Sequence, residues 1–192
     1  MKKIIATLVA IIMLLTATAF AEDVAWLELE LMDMTISAPE DVIGYVSDTF
    51  EPDVPFACFY EDYDETRFFS KNVTFAYTNE VMDIYSIDPF EVATYLAEGA
   101  SEAYIGMGIT ARNPAVIDAG LDTQDGRDAL FMYFITDVDY STIGYNESIT
   151  LNTVQMIVPI PEKGITYIVT VSTDDMSNSN ILFGISDSIT WN

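Results

Sequence analysis

Apolar and polar residues alternate along much of the chain after residue 26, which is the pattern of β-strands that have one buried face. In "WLELELMDMTISA" the apolar positions alternate over residues 27–31 and then shift by one place over residues 32–36. This shift predicts a bulge or a break at Leu31-Met32. "VIGYV" predicts a short strand before a loop with two prolines, and residues 73–77 predict another strand.

The segment that begins at Asp88 has a helical period instead. Asp88 is the predicted N-cap, Pro89 occupies the first helical position, and Glu91 follows three residues after the cap, which is the spacing of a capping box. Gly106 and Gly108 are expected to end the helix. One face has apolar residues at helical spacing and is predicted to pack on a sheet: Ala93, Leu96, Ala97, Ala100, Ala103, Tyr104 and Met107.

The remaining segments predict two β-hairpins followed by a terminal helix. "AVIDAGLDT" and "DALFMYFITDV" form the first pair, and "TLNTVQMIVPIP" and "GITYIVTVST" form the second, around "PEKG". Ser177 or Asp175 is the expected cap of the terminal helix. Its predicted inward side chains are Ile181, Leu182, Ile185 and Ile189. The sequence therefore predicts an α+β fold, an antiparallel β-sheet with helices packed on it.

The stretch "DTQDGRD" raises the question of a calcium loop. If Gly126 is placed at the glycine of an EF-hand loop, Leu121 falls at its first position and Met132 at its last, where glutamate is required. Asp-Gly between two apolar runs is instead a strong hairpin signal. We predict a turn in which Gly126 has a positive φ.

The order of elements over residues 88–192 resembles a known family. A long amphipathic helix, strands around "DGRDALFMYF" and "VQMIVPIPEKGITYIVTVST", and a terminal "NILFGISDSI" helix are similar to the PsbP-like fold. That α/β/α sandwich is shared by the extrinsic photosystem II protein, a Ran-GTPase-binding import factor and many bacterial secreted proteins. The resemblance implies a binding or assembly module. Because the chain has no histidine and few cations, no site of those proteins transfers residue by residue.

The N-terminus has the pattern of a secretory signal peptide. Two lysines precede an apolar run over residues 4–15, and Ala19-Phe20-Ala21 is a cleavage motif. The run is shorter than the roughly 20 residues that span a bilayer. We predict a signal peptide over residues 1–21, a single domain over residues 22–192, and an extracellular or periplasmic location. No membrane span is predicted.

The chain is strongly acidic, with 31 acidic residues, seven basic residues and a net charge of −24. Loss of Lys2 and Lys3 with the leader makes the net charge −26. Nucleic-acid binders need cations that neutralise phosphates, so nucleic acid is excluded as a partner. Anionic membrane surfaces would repel the chain. The charge favours a soluble monomer and leaves a cationic or protein partner open.

The lack of histidine and the presence of a single cysteine restrict the possible chemistry. Without histidine, a Ser-His-Asp or Cys-His nucleophile cannot be assembled, and typical catalytic zinc sites are disfavoured. Cys58 is the only cysteine, lies among apolar residues and is predicted to be a small buried hydrophobe. We assign no catalytic residue, no metal ligand and no cofactor. Carboxylate chemistry and carboxylate-bound calcium remain open.

One acidic and aromatic segment is the candidate binding site. Glu61, Asp62, Tyr63, Asp64 and Glu65 lie within "FEPDVPFACFYEDYDETRFF" and could bind a cation or a basic, sugar-like or peptide partner. The alternative is a solvated acidic turn of a hairpin.

Three functions follow from these patterns. The first is a secreted, non-enzymatic binding or assembly module. The second is a calcium-dependent binding module. The third is a glycosidase-like hydrolase that uses two carboxyl groups.

Overall fold

The computed structural model describes residues 26–31, 34–40, 43–46, 52, 57–61, 64 and 66–192. The predicted signal peptide lies outside these residues. Two helices and ten strands are present in the described chain, in this order: β1 (Trp26–Leu31), β2 (Met34–Pro39), β3 (Ile43–Val46), β4 (Ala57–Glu61), β5 (Lys71–Thr78), α1 (Pro89–Gly106), β6 (Thr110–Gln124), β7 (Arg127–Asp139), β8 (Ser148–Ile160), β9 (Ile165–Thr173), α2 (Asn180–Asp187) and β10 (Thr190–Trp191).

Seven of the strands form one antiparallel sheet in the order β3-β4-β5-β9-β8-β7-β6. Strands β6 to β9 are neighbours in chain order, so both predicted hairpins are confirmed. The connection from β5 to β6 contains α1, which packs against β6 and β7. Within the described residues, neither helix combines the length and the apolar character that crossing a bilayer would require.

The Asp-Gly stretch is a two-residue turn between β6 and β7. Gln124 pairs with Arg127, so only Asp125 and Gly126 connect the strands. Their φ angles are 46° and 75°, and positive values at both positions are characteristic of a type I′ hairpin turn. The Asp125 carboxylate accepts a 3.1 Å hydrogen bond from the backbone N–H of Trp191. The predicted turn is therefore confirmed, and the EF-hand alternative is excluded for this segment.

A second sheet corrects the expectation of one sheet with helices. Strands β1, β2 and β10 form a three-stranded antiparallel sheet. Leu31 pairs with Met34, so the shift in the apolar pattern marks a break at which the chain reverses. The side chains of Met34 and Ile36 are fully buried. Because period-2 alternation says nothing about which strands pair, the sequence could not separate this hairpin from the main sheet.

The main sheet is covered differently on its two faces. One face packs against the small sheet and α2, in a core that contains Phe75, Tyr167 and Val169 from the main sheet. On the other face, α1 packs over side chains of β6 and β7, such as Leu130 and Met132. The layers are thus a helix, a sheet, and a third layer made of a helix and a small sheet, which confirms the predicted α+β class.

The cap of α1 forms as predicted, although its second half is absent. The Asp88 carboxylate accepts hydrogen bonds from the N–H groups of Phe90 at 2.9 Å and Glu91 at 3.4 Å. No return bond from the Glu91 side chain to the N–H of Asp88 is present in this described segment. The cap consequently depends on Asp88, and Pro89 supplies a helical φ.

The predicted inward face of α1 is correct at its centre and wrong near its end. Ala93 and Ala97 are buried, but Ala103 and Met107 are exposed. Ser101 is buried because it continues the i, i+4 row of Ala93 and Ala97, and its small side chain fits against the sheet. Met107 follows the last helical residue, so helical spacing does not apply to it.

We expect Asp88→Ala to lower the free energy of unfolding by about 1 kcal/mol, because two backbone N–H groups lose their acceptor. Asp88→Asn is the matched control, since its amide oxygen can accept the same bonds, and it should change stability by only a few tenths of a kcal/mol. Urea denaturation measures both. Equal midpoints for the alanine variant and the parent, with equal slopes, would contradict the assigned cap.

The C-terminal helix begins later than the proposed caps. Asp175 caps a short 3-10 helix, Met176–Asn178, by accepting a hydrogen bond from the N–H of Ser177. Helix α2 follows Ser179, which makes no side-chain capping bond. Leu182, Ile185 and Ile189 are buried as predicted, whereas Ile181 is only partly buried.

Candidate functional site

The main sheet has a broad open face on the same side as α1. Helix α1 packs mainly on β6 and β7, and it leaves the middle of the neighbouring strands β8, β9 and β5 uncovered. There, side chains on the opposite face such as Val154, Val169 and Phe75 are buried, and those on the α1 side are partly exposed. Nearer the strand ends, Leu151, Ile157 and Thr166 on the α1 side are buried. The open face consists of Asn72, Thr74, Ala76, Thr78, Thr153, Gln155, Ile168, Thr170 and Ser172.

The register of the strands forms the open face from cross-strand rows. Thr74, Thr170 and Gln155 lie opposite one another on adjacent strands, and the next row contains Ser172 and Thr153. The amide of Gln155 donates a 2.9 Å hydrogen bond to the Thr170 hydroxyl. The first row continues to Met132 of β7, which is beneath α1, so the open face and the helix are adjacent.

No residue of the open face is charged, in a chain of which 20% is charged. The side chains are hydroxyls, amides and small aliphatic groups. Hydroxyl and amide groups can each form hydrogen bonds with a ligand, and they avoid the desolvation cost of burying a charge. The open face can therefore be covered by a partner at low electrostatic cost.

A groove of about 390 Å³ lies where the open face meets α1. The floor includes Thr153, Gln155 and Ser172, and the wall includes Tyr95 and Tyr104. The Tyr95 side chain is 75% exposed. The groove thus combines aromatic surface from the helix with hydrogen-bonding groups from the sheet.

Gly99 leaves the middle of the helical wall open. A Cβ atom added at Gly99 would have no atom within 4 Å, and Gly99 lies between the two tyrosines on the groove side of α1. At the far end, Tyr104 packs edge-on against the buried Tyr140, with 6.2 Å between ring centroids. Burial raises the pKa of Tyr104, so its hydroxyl is neutral at any physiological pH.

Most of the predicted acidic site cannot be placed next to this groove. Asp62, Tyr63 and Glu65 lie outside the described residues, and Glu61 is placed only as a β4 backbone position opposite Lys71. Asp64 is exposed, and its Oδ1 accepts hydrogen bonds from the hydroxyl and the N–H of Thr66, at 2.7 and 2.8 Å. These bonds lower the pKa of Asp64. In the described chain, Asp64 therefore stabilises a turn.

The segment after Asp64 is attached to the sheet by an arginine clamp. Arg67 donates to Glu147 through Nε at 2.5 Å and to Asp174 through Nη2 at 2.6 Å. The second oxygen of Glu147 accepts from the N–H groups of Phe68 and Phe69, at 3.1 and 3.3 Å. The hydrogen bond to Asp174 raises the pKa of Arg67. This network orders the segment before β5, and the two carboxylates neutralise the charge of Arg67.

Some residues prominent in the sequence do not contribute to a described site. Cys58 occupies a β4 position opposite Thr74, and its side chain lies outside the described part, so its predicted burial stays a prediction. Within the described residues, no three side chains of His, Cys, Asp or Glu converge on a position that could hold a metal ion.

The open face itself was missed by the sequence analysis, although part of its signal was present. Alternation in β9 places Thr166 and Thr170 on the face opposite Tyr167, Val169 and Val171. Alternation cannot show what packs over those threonines: Thr166 is buried against the 80–82 segment, whereas Thr170 is partly exposed. The position of Tyr95 in the groove wall could not be predicted either, because a tyrosine on the polar side of a helix does not indicate a groove.

Sequence comparison finds no relative for this chain, since no protein-family model and no curated protein matches it. Comparison with solved structures does find similar folds. The solution structure of cyanobacterial PsbP (CyanoP) from Synechocystis sp. PCC 6803 aligns with a TM-score of 0.58 and 11% identity, over 90% of this chain and 96% of that chain. This chain has a PsbP-like fold.

A second PsbP-like structure supports the same conclusion. The Saccharomyces cerevisiae Ran-binding protein Mog1p aligns with a TM-score of 0.50 and 9% identity, over 88% of this chain and 96% of that chain. The similarity covers more of the chain than residues 88–192, from which the PsbP-like fold was predicted. That prediction is confirmed.

Proposed function

We propose that this chain is a secreted, non-enzymatic binding module that holds a protein partner on the open face and in the groove beside α1. The absence of charge from the open face is the observation that supports this function best. Charged residues are depleted at the centres of protein interfaces, whereas tyrosine is enriched there. In antibody paratopes, tyrosine supplies rigid contact area, and serine and asparagine supply adaptable hydrogen bonds.

Two further considerations favour a protein as the partner. Mog1p, which has the same fold, is a Ran-binding protein, so the PsbP-like fold can support recognition of another protein. The strong negative charge elsewhere on the chain would attract a partner with cationic groups around its contact surface and accelerate its association. The same charge favours a monomer through mutual repulsion of copies.

Export is tested separately from binding. We expect the protein recovered outside the cytoplasm of its producing cells to begin at Glu22, because Ala19-Phe20-Ala21 matches a signal-peptidase motif. Mass spectrometry of the intact protein measures its N-terminus. Recovery of the protein only inside the cytoplasm, still beginning at Met1, would contradict the proposed secretion.

Binding is tested by photo-crosslinking in the producing cells. A photoreactive amino acid at Thr170, in the open face, should give a specific crosslink to one protein. The same amino acid at Thr123, an exposed β6 position outside the open face, should give little. Crosslinks are identified and quantified by mass spectrometry. Equal and non-specific labelling from the two positions would contradict the proposed interface.

A matched pair of helix variants tests the groove within the same assay. Gly99→Leu places a side chain in the groove without a clash at its Cβ, and we expect it to reduce the Thr170 crosslink by about tenfold or more. Ala103→Leu adds a leucine at an exposed α1 position that does not line the groove, and it should leave the crosslink unchanged. Equal yields from the two variants would show that the partner does not use the groove.

A further inference from the structure

A second cleft, of about 500 Å³, lies at the turn end of the main sheet. It is formed by the 81–85 segment, by residues 126–128 around the Asp-Gly turn, by Pro159 near the end of β8, and by Pro161 of the β8–β9 connection. Much of its surface is apolar. Its volume is within the range of pockets that bind small organic molecules, about 300–1,000 Å³.

A buried threonine fixes one wall of this cleft. The Thr166 hydroxyl is fully buried, accepts a 2.9 Å hydrogen bond from the N–H of Met82 and donates a 2.7 Å bond to the carbonyl of Glu80. Two residues further on, Ile84 is inserted into the core beneath α1. The 80–84 segment is therefore attached to the sheet at two positions, so the cleft is preformed and a ligand would not have to order it.

Besides Arg127, the charged and hydroxyl side chains that line the cleft are those of Asp83, Tyr85 and Asp128. Asp83 accepts a 3.2 Å hydrogen bond from the N–H of Tyr85, and the Tyr85 hydroxyl donates to the carboxylate of Asp128. The Tyr85 side chain is 66% exposed, so its ring is available to a ligand. The hydroxyl bond holds the ring against Asp128, and the bond from the Tyr85 N–H holds the Asp83 carboxylate against the backbone at the base of the ring.

The one cation in the cleft wall is already paired. Arg127 forms a 2.7 Å ion pair with Glu162. Because that pair has no net charge, Asp83 and Asp128 leave the cleft with an excess of negative charge. An anionic ligand would be repelled, and a neutral one would lack the charge–charge attraction to the two carboxylates.

We propose that this cleft binds a small organic amine with an apolar body. The ammonium group would donate hydrogen bonds to the carboxylates of Asp83 and Asp128 and lie near the face of Tyr85, which favours cations. The apolar body would cover Val81 and the two prolines. Binding of the amine does not depend on a protein partner, because the cleft is separate from the open face and has the volume of a small-molecule pocket.

The probe is phenethylamine, titrated by calorimetry at physiological salt, where weak attraction to the acidic surface is screened. We expect saturable one-to-one binding with a Kd below about 1 mM. Phenethyl alcohol and 3-phenylpropanoate have similar size with no charge and negative charge, and each should bind at least about tenfold more weakly. Equal binding of the alcohol, or no saturable binding of the amine, would overturn the proposal.

Isosteric variants separate the cleft from the overall charge of the chain. Asp83→Asn and Asp128→Asn keep an oxygen that can accept the hydrogen bonds of Tyr85, so the fold should persist, and each should weaken binding by about tenfold. Glu98→Gln removes one charge from an exposed position on α1 and should leave the Kd unchanged. Equal losses in all three variants would show that the amine responds only to net charge.

Discussion

Replacement of Arg67 by methionine is expected to lower the free energy of unfolding by about 3 kcal/mol. The side chains of Glu147 and Asp174 are only 10% and 15% exposed, and Arg67 contacts both. Methionine would leave two largely buried carboxylates without the cation that compensates them. The loss is estimated at the lower end of the range for buried pairs because the Arg67 side chain is 33% exposed.

The structure makes Asp174 particularly dependent on Arg67. Its Oδ2 accepts from the guanidinium, whereas its Oδ1 is buried and accepts no hydrogen bond within the described chain. Glu147 has two backbone N–H donors besides Arg67. We therefore expect Asp174→Asn to recover part of the stability that Arg67→Met loses, because the pair of substitutions leaves one buried charge instead of two.

Arg112→Met is the control for the Arg67 variant. It removes the same charge from an exposed position of β6, and we expect it to change stability by no more than about 0.5 kcal/mol. Urea denaturation at constant pH and salt measures both variants. Equal, small losses in the free energy of unfolding of the two variants would show that only net charge affects stability and that the arginine clamp contributes nothing.

Replacement of Gly126 by valine is expected to lower the free energy of unfolding by about 2 kcal/mol. No atom lies within 4 Å of the position that its Cβ would occupy, so the cost comes from the backbone and not from packing. Gly126 has a φ of 75°, and a β-branched residue is strained in this left-handed region. Strand pairing beside the turn prevents the backbone from relaxing to a negative φ.

Two substitutions control for this backbone effect, and all three are measured by thermal and urea denaturation. Gly126→Asn should cost less than about 1 kcal/mol, because asparagine tolerates the left-handed region. Gly99→Ala, in the interior of α1, should raise stability by about 0.5–1 kcal/mol, because alanine favours the helix. A valine variant as stable as the asparagine variant would show that the turn does not enforce a positive φ.

The features predicted correctly from the sequence are those that depend on neighbouring residues. Asp88 and Pro89 define the start of α1 within four residues, and Asp125-Gly126 defines a hairpin within two. Alternation located the strands, since the side-chain period of a strand is a local property. The order of helix and hairpins over residues 88–192 resembled the PsbP-like fold, and the structural comparison confirms that fold.

The predictions that failed or could not be made required knowledge of distant contacts. The predicted inward face of α1 did not include Ser101, and only the sheet beneath the helix explains its burial. The pairing of β10 with β2 joins residues more than 150 positions apart. The acidic candidate site stays a prediction, because Asp62, Tyr63 and Glu65 lie outside the described residues.

By itself, the sequence predicted most of the helices and strands and the fold class, and it excluded chemistry that needs histidine, because each depends on local pattern or on composition. Only the tertiary structure shows which surfaces are left open. Arg67 contacts residues 80 and 107 positions away, and the open face exists because α1 packs mainly on β6 and β7 and leaves the middle of β8, β9 and β5 uncovered. Exposure of a strand face depends on what packs over it, and that information is not local.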